Sequence, residues 1–270
     1  MEPCILPRSG KGAMEGLQMR MGRNSYWWLT AALSLCLSLP SAARTVRVAS
    51  YNVLFGVGSV NGPEYNAVAD VLTRIDADVV AFQELTSGDR ANWEALADEL
   101  GYAHTAFGGN GPLSGGLKVG YCSRHPILSA SGIASPQNCG GTTVKELTRQ
   151  PLRIAVDVPD AENPLVLWAM HHKASSGNDD RFRRAIEARR ITGDIAAYLA
   201  ANPTHSEYIV LGDMNDDVGD FQTAQYNSLP SGLPGSYQLG CDITFPVPHA
   251  VFPEDHYEAT GKVAFSTFSI

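Results

Sequence analysis

An α/β fold is the class that this sequence predicts. Short apolar runs of strand character alternate along the chain with segments whose apolar residues recur at helical spacing. The 270 residues are 44% hydrophobic and 18% charged, a balance that suits one substantial domain with a full core. No internal repeat, low-complexity tract or long charged run interrupts the alternation.

The first 43 residues stand outside that pattern. Arg20 and Arg23 precede an apolar stretch from Tyr26 to Leu39, and Pro40 with the small residues Ser41, Ala42 and Ala43 follows it. A basic start, a short apolar middle and a small-residue exit predict a secretory signal over residues 1–43, cleaved after Ala43. The apolar run is shorter than the roughly 20 residues a bilayer span needs, so no stable membrane span is expected. The expected location is secreted or periplasmic, and the expected state is a monomer.

Residues 1–43 hold four basic residues (Arg8, Lys11, Arg20, Arg23) and two acids (Glu2, Glu15). Of the chain's 20 basic and 28 acidic residues, 16 and 26 therefore remain in 44–270, a formal charge of −10. Such a body gains no long-range attraction to nucleic acid and is a poor candidate for tracking along DNA, although a local basic patch can still hold a phosphate. Beyond residue 43 the cysteines are Cys122, Cys139 and Cys241. Cys122–Cys139 is the pair nearest in sequence, but an odd number in so long a chain favours buried free thiols.

Residues 45–51 (TVRVASY) alternate like a strand with one polar face, and 64–75 (EYNAVADVLTRI) carry Tyr65, Val68, Leu72 and Ile75 at helical spacing. Residues 78–82 (DVVAF) form a short buried strand, and 91–100 form a helix ended by Gly101. Further strands are expected at 117–123, 152–158, 164–170 and 207–211. A long helix over 180–201 is expected to be capped by Asp179 or Asp180 and to stop at Asn202–Pro203. Its Arg183, Arg184, Arg189 and Arg190 are expected to form a solvated face. The segment 219–258, rich in Gly, Pro and Ser, is expected to be extended loops.

Four of the strands end in chemically useful side chains. VRVASY delivers Asn52, DVVAF delivers Gln83 and Glu84, LVLWAM delivers His171 and His172, and EYIVLG delivers Asp213 and Asn215. Ligand sites of open α/β sheets gather at strand ends and the loops beyond them. Converged, these ends hold two carboxylates, two amides and one or two imidazoles. Hard oxygen donors without a cysteine cluster suit Mg2+, or Mn2+, and not structural zinc. A magnesium ion held by few carboxylates keeps room for a substrate phosphate, the chemistry of metal-assisted phosphate-ester hydrolysis. Singly, each residue has a plain structural reading: Asn52 as a turn former, Gly212–Asp213 as a turn, His171 as a core histidine.

In order, these residues resemble the endonuclease/exonuclease/phosphatase superfamily. Ser50-Tyr51-Asn52-Val53 is similar to its first motif and Phe82-Gln83-Glu84 to its second. Thr148-Arg149-Gln150-Pro151 is similar to the Arg-acid-Pro element of deoxyribonuclease I-like members, with Gln150 in the place of the acid. His171-His172-Lys173-Ala174 resembles the His-Leu-x-Ala segment, His172 standing where an apolar residue is usual. Gly212-Asp213-Met214-Asn215 resembles the Gly-Asp-Phe-Asn motif.

The resemblance implies a four-layer sandwich of two packed mixed β-sheets flanked by helices. It also implies a divalent-metal-dependent hydrolase of phosphate esters, of nuclease or phosphodiesterase type, with a nucleic acid or small phosphodiester as substrate. Glu84 with Asn52 would bind the metal and Arg149 would contact phosphate. Asp213 beside Asn215 would position or activate the attacking water, and His171 would be the catalytic imidazole. The family's closing Asp-Tyr-Ile strand and Ser-Asp-His motif have no full match after Asn215; Asp255-His256 is the only candidate pair. The domain over 44–270 is therefore expected to be incomplete at its C-terminus, and the competing class is a catalytically impaired or non-catalytic fragment of such an enzyme.

Overall fold

The computed structural model describes residues 45–109, 116–133, 147–216, 225–231 and 247–248. The predicted signal segment, Cys139, Cys241 and the Asp255-His256 pair lie outside the described residues.

Each sheet is built around one parallel strand pair joined by a helix. Strand β1 (Val48–Asn52) leads through helix α1 (Pro63–Ile75) to β2 (Val79–Thr86), which pairs parallel to β1 with Asn52 opposite Gln83. Helix α2 (Arg90–Glu99) follows, then β3 (His104–Phe107) and β4 (Leu117–Ser123), giving the order β1-β2-β4-β3. The second sheet begins with β5 (Ile127–Gly132), β6 (Leu152–Val156) and β7 (Leu165–His171). Helix α3 (Asn178–Ala201) then crosses to β8 (Tyr208–Asp213), parallel to β7, in the order β5-β6-β7-β8.

Side-chain alternation sorts the core into layers. Val79 and Ala81 of β2, with Val119 and Tyr121 of β4, pack onto Leu152, Ile154, Leu167 and Ala169 of the second sheet. The intervening Val80 and Phe82 face the other way, onto Tyr65, Val68 and Leu72 of α1 and Trp93 and Leu96 of α2. On the far side, Val166, Trp168 and Met170 of β7 meet Ile191 and Ile195 of α3. Helices, sheet, sheet and helix make the four-layer α/β sandwich that the resemblance implies. Asp194 of α3 ties this helix to the second sheet, accepting from Arg153 Nη1 at 2.6 Å and from Trp168 Nε1 at 2.8 Å.

Several local expectations are corrected. Strands β3 and β5 were not expected; β5 is almost wholly exposed, so it lacks the apolar run that marks a buried strand. Helix α3 begins at Asn178 after Gly177 in extended conformation, and neither Asp179 nor Asp180 caps it by a side-chain bond; Asp180 pairs with Lys173 Nζ at 3.0 Å instead. Arg183 and Arg184 are buried at 1% and 2% exposure, not solvated, whereas Arg189 is exposed. Their charges are drawn inward by Glu187 and Asp216, a partnership no periodicity reveals. Within the stretch expected to be loop, Gln225–Tyr226 (β9) and Val247–Pro248 (β10) form an antiparallel pair. Cys122 is a buried free thiol, and burial pushes its pKa well up, which keeps it protonated.

Candidate functional site

The two parallel pairs, β1–β2 and β7–β8, end at one place. Asn52 Nδ2 donates to Glu84 Oε1 at 3.0 Å and to Asp213 Oδ2 at 3.0 Å, joining the ends of three strands from both sheets. His171 Nε2 lies 3.8 Å from each of the same two carboxylate oxygens. Asn52 turns its own amide oxygen to Leu54 N–H at 3.0 Å.

Glu84 reaches this place through a β-bulge. Phe82 pairs with Gly120 but Leu85 with Lys118, so β2 spends one more residue than β4 between the two pairings. The bulge lets Leu85 share the helix-facing core with Phe82, three residues apart instead of two, and Glu84 takes the left-handed φ of 64°. Re-aiming a side chain is what such bulges do beside functional sites. At β8 the cause is a glycine: Gly212 sits at φ 138°, where a Cβ would collide with the Met170 carbonyl. Asp213 Oδ1 then accepts from Asn215 N–H at 2.9 Å, and Asn215, itself at φ 52°, donates its amide to the His172 carbonyl at 2.9 Å.

Arg149 donates from Nη1 to the same His172 carbonyl at 2.6 Å. Burial lowers its pKa, opposed by the nearby charges of Glu187, Glu84 and Asp213, so the guanidinium faces the carboxylate pair. The imidazoles are held neutral. Burial first, then Arg149 and His172, push the His171 pKa down to about 3 against the pull of Asp213. His172 falls to about 3 through burial and Arg184, and neither of its ring nitrogens has a hydrogen-bond partner. Its side chain is a packing residue of polar type, while its backbone N–H and carbonyl fix Asp213, Arg149 and Asn215.

Asn52, Glu84, His171, Asp213, Asn215 and Arg149 thus form one constellation. Helix α3 supplies a support that sequence reasoning missed. Glu187 accepts from Thr148 N–H and from Lys173 N–H, both at 2.7 Å. Arg184 donates to the Lys173 and Ser175 carbonyls at 3.0 and 2.6 Å and to Asp216 at 3.1 Å. The segments carrying Arg149, His171 and Asp213 are therefore pinned to one helix. The available signal was an Arg183–Glu187 pair four residues apart beside the buried Phe182 and Ile186.

Two carboxylates converge here with neutral imidazoles beside them, leaving negative charge that a cation would relieve. Among the described residues no group of three or more His, Cys, Asp and Glu is arranged to hold a metal ion. The Glu84 and Asp213 carboxylates with the Asn52 amide are hard oxygen donors of the kind that suit a divalent ion whose remaining positions are filled by water and substrate oxygen. A closed zinc cage does not fit. Glu84, 13% exposed, and Asp213, 30% exposed, remain reachable from solvent.

An α/β/β/α sandwich with paired carboxylates, an amide and an imidazole at converging strand ends defines a class of hydrolytic fold. The sequence model of the Endonuclease/Exonuclease/phosphatase family matches residues 49–255, and the chain belongs to that family. Its enzymes hydrolyse phosphate esters and are generally dependent on a divalent metal. No curated protein sequence matches the chain.

Among solved structures it is similar to an endonuclease/exonuclease/phosphatase from Beutenbergia cavernae, at 22% identity over 55% of this chain and 43% of that one (TM-score 0.44). The human Nocturnin catalytic domain with bound sulfate anion aligns at 16% identity over 64% of this chain and 66% of its own (TM-score 0.49). D. rerio TDP2 complexed with single strand DNA product aligns at 21% over 64% and 61% (TM-score 0.45). The chain spans under half of the first of these and less than two thirds of the last.

Proposed function

We propose that this chain is a magnesium-dependent hydrolase of phosphate esters, of nuclease or phosphodiesterase type, exported from the cell. The observation that carries the reading is the shared grip of Asn52 on Glu84 and Asp213, with His171 Nε2 3.8 Å from both. Mn2+ would fit the same donors. The charge of −10 over 44–270 favours a small phosphodiester over a long polymer.

Glu84 would be the principal metal ligand. Asn52 stands beside it, and a half-turn of its amide would turn Oδ1 to the ion at the expense of its bonds to Leu54, Glu84 and Asp213. The chemistry supplied by a divalent ion held there would be Lewis acidity toward a phosphoryl oxygen of the ester. Asp213 can orient an attacking water and take its proton, because the Asn215 N–H holds its Oδ1 and so fixes the carboxylate in place. His171, neutral above about pH 3, can hydrogen-bond a non-bridging or leaving oxygen without adding charge. Arg149 is placed to pair with the phosphate anion.

Titration calorimetry with Mg2+, alongside hydrolysis of bis-p-nitrophenyl phosphate with and without chelator, tests this. Glu84→Gln is expected to weaken Mg2+ binding at least about tenfold, a loss of ~1.4 kcal/mol. Unchanged affinity in that variant, or turnover that survives the chelator, would overturn the assignment.

A further inference from the structure

We infer that Leu54 and Phe55 form the contact surface for an aromatic substituent of the phosphate ester, a planar nucleobase-like ring, and thereby select which ester is taken. This rests on the phosphoesterase reading above. Among the described residues five large apolar side chains are exposed, and three of them, Leu54 at 72%, Phe55 at 68% and Val60 at 46%, lie in the loop after β1. Leu54 and Phe55 also take left-handed φ values of 49° and 66°. Large apolar residues rarely adopt that conformation, and such strain persists where the surroundings impose it, commonly at ligand sites.

Here the surroundings do impose it. On one side Val53 is buried and its N–H donates to the Gln83 carbonyl at 3.1 Å. On the other, Val57 is fully buried, Gly58 N–H donates to Asp89 Oδ2 at 3.2 Å, and Asn92 Nδ2 donates to the Gly58 carbonyl at 2.9 Å. Between them Gly56, at φ 102°, lies so near the Asp89 carboxylate that a Cβ there would push it off the Gly58 N–H. The loop is clamped at both ends, and the two apolar side chains are held out into solvent. Burial in the fold returns nothing for either of them.

Position supplies the occupant. Leu54 N–H is bonded to the Asn52 amide whose other end holds Glu84 and Asp213. Phe55 is three residues from Asn52, within about 10 Å along the chain. A phosphodiester at the carboxylates carries an organic group on each bridging oxygen, and one of these falls within reach of the Phe55 ring. An aromatic group gains most there, because a ring face stacks and Leu54 can cover its edge. A bilayer is a poorer match, since two side chains bury little area and an acidic body is repelled by anionic lipid.

The test compares two esters with one leaving group, thymidine 5′-p-nitrophenyl phosphate and methyl p-nitrophenyl phosphate. Phe55→Ala is expected to lower the ratio of their kcat/KM values about five- to a hundredfold, as expected for losing one stacked base. Phe55→Trp should restore it. Because Phe55 is exposed, thermal unfolding should not move. A ratio unchanged in Phe55→Ala would overturn the inference. If the wild-type chain hydrolyses neither ester, the phosphoesterase reading fails, and equilibrium binding of the thymidine ester still decides: weaker binding by Phe55→Ala supports the contact, equal binding refutes it. Cosedimentation with phosphatidylcholine vesicles that depends on Phe55 would also overturn it, in favour of a lipid surface.

Discussion

Replacing Glu187 by Gln removes the centre of the support behind the site. The carboxylate accepts two backbone N–H groups at 2.7 Å, from Thr148 and Lys173, and lies against the buried Arg183. Gln keeps one acceptor oxygen but turns an NH2 group toward the other N–H, leaving a buried donor facing a donor. Hydrogen bonds to a charged group contribute about 1.5–3 kcal/mol each, and an unmet buried donor costs about 1–3 kcal/mol. Loss of the charge partner of Arg183 brings the expected destabilisation to about 3–5 kcal/mol, the usual cost of breaking a buried pair. That is a large share of a total of about 5–15 kcal/mol. Urea unfolding followed by tryptophan fluorescence should show the midpoint falling by about 1–5 M, given a slope of about 1–3 kcal/mol per molar. Arg189→Ala, on the exposed face of the same helix, is the control and should change stability by less than about 0.5 kcal/mol. A loss that small for Glu187→Gln would refute the argument that this carboxylate holds the Arg149 and His171 segments together.

Two further outcomes are expected. His172, whose pKa is lowered to about 3, faces Arg184, Arg149, Asp213 and Asp216; the unfolded chain binds its proton below about pH 6.5 and the folded chain does not. Its contribution to stability is therefore full above about pH 6.5 and is lost as the pH falls from there toward 3, by about 1.4 kcal/mol per pH unit. In His172→Leu that part of the slope should vanish from urea midpoints measured between pH 4 and 7, with stability at pH 7 unchanged or raised; an unaltered slope would contradict it. The proposed export predicts that N-terminal sequencing of secreted protein begins at Arg44; retention of Trp27 and Trp28 would contradict it.

Much of the fold and most of the candidate constellation could be read from local pattern. Tyr65, Val68 and Leu72 mark α1 because a 3.6-residue period puts them on one face, and all three are buried. Asn52, Glu84, His171 and Asp213 could be named because each follows an apolar run short enough to be a buried strand. What local pattern cannot carry is any interaction between segments far apart in the chain. The burial of Arg183 and Arg184 depends on Glu187 and on Asp216, 32 residues from Arg184, so isolated helical spacing assigns those charges to solvent. Strand β5 offers no apolar run and exists because β6 pairs with it.

The sequence by itself determined the α/β class, the order of the three helices and of strands β1, β2, β4, β6, β7 and β8, and the chemical identity of the side chains at the strand ends, since these depend on periodicity and residue type within a few positions. Only the tertiary structure decided that those ends meet. Asn52 and Asp213, 161 residues apart, come to 3.0 Å because two sheets pack face to face with both parallel pairs ending on one side. A one-residue bulge aims Glu84 there, and a glycine lets β8 pass the Met170 carbonyl. Such choices follow from how whole layers pack, and the free energy that selects them is shared among residues that no single stretch of sequence contains.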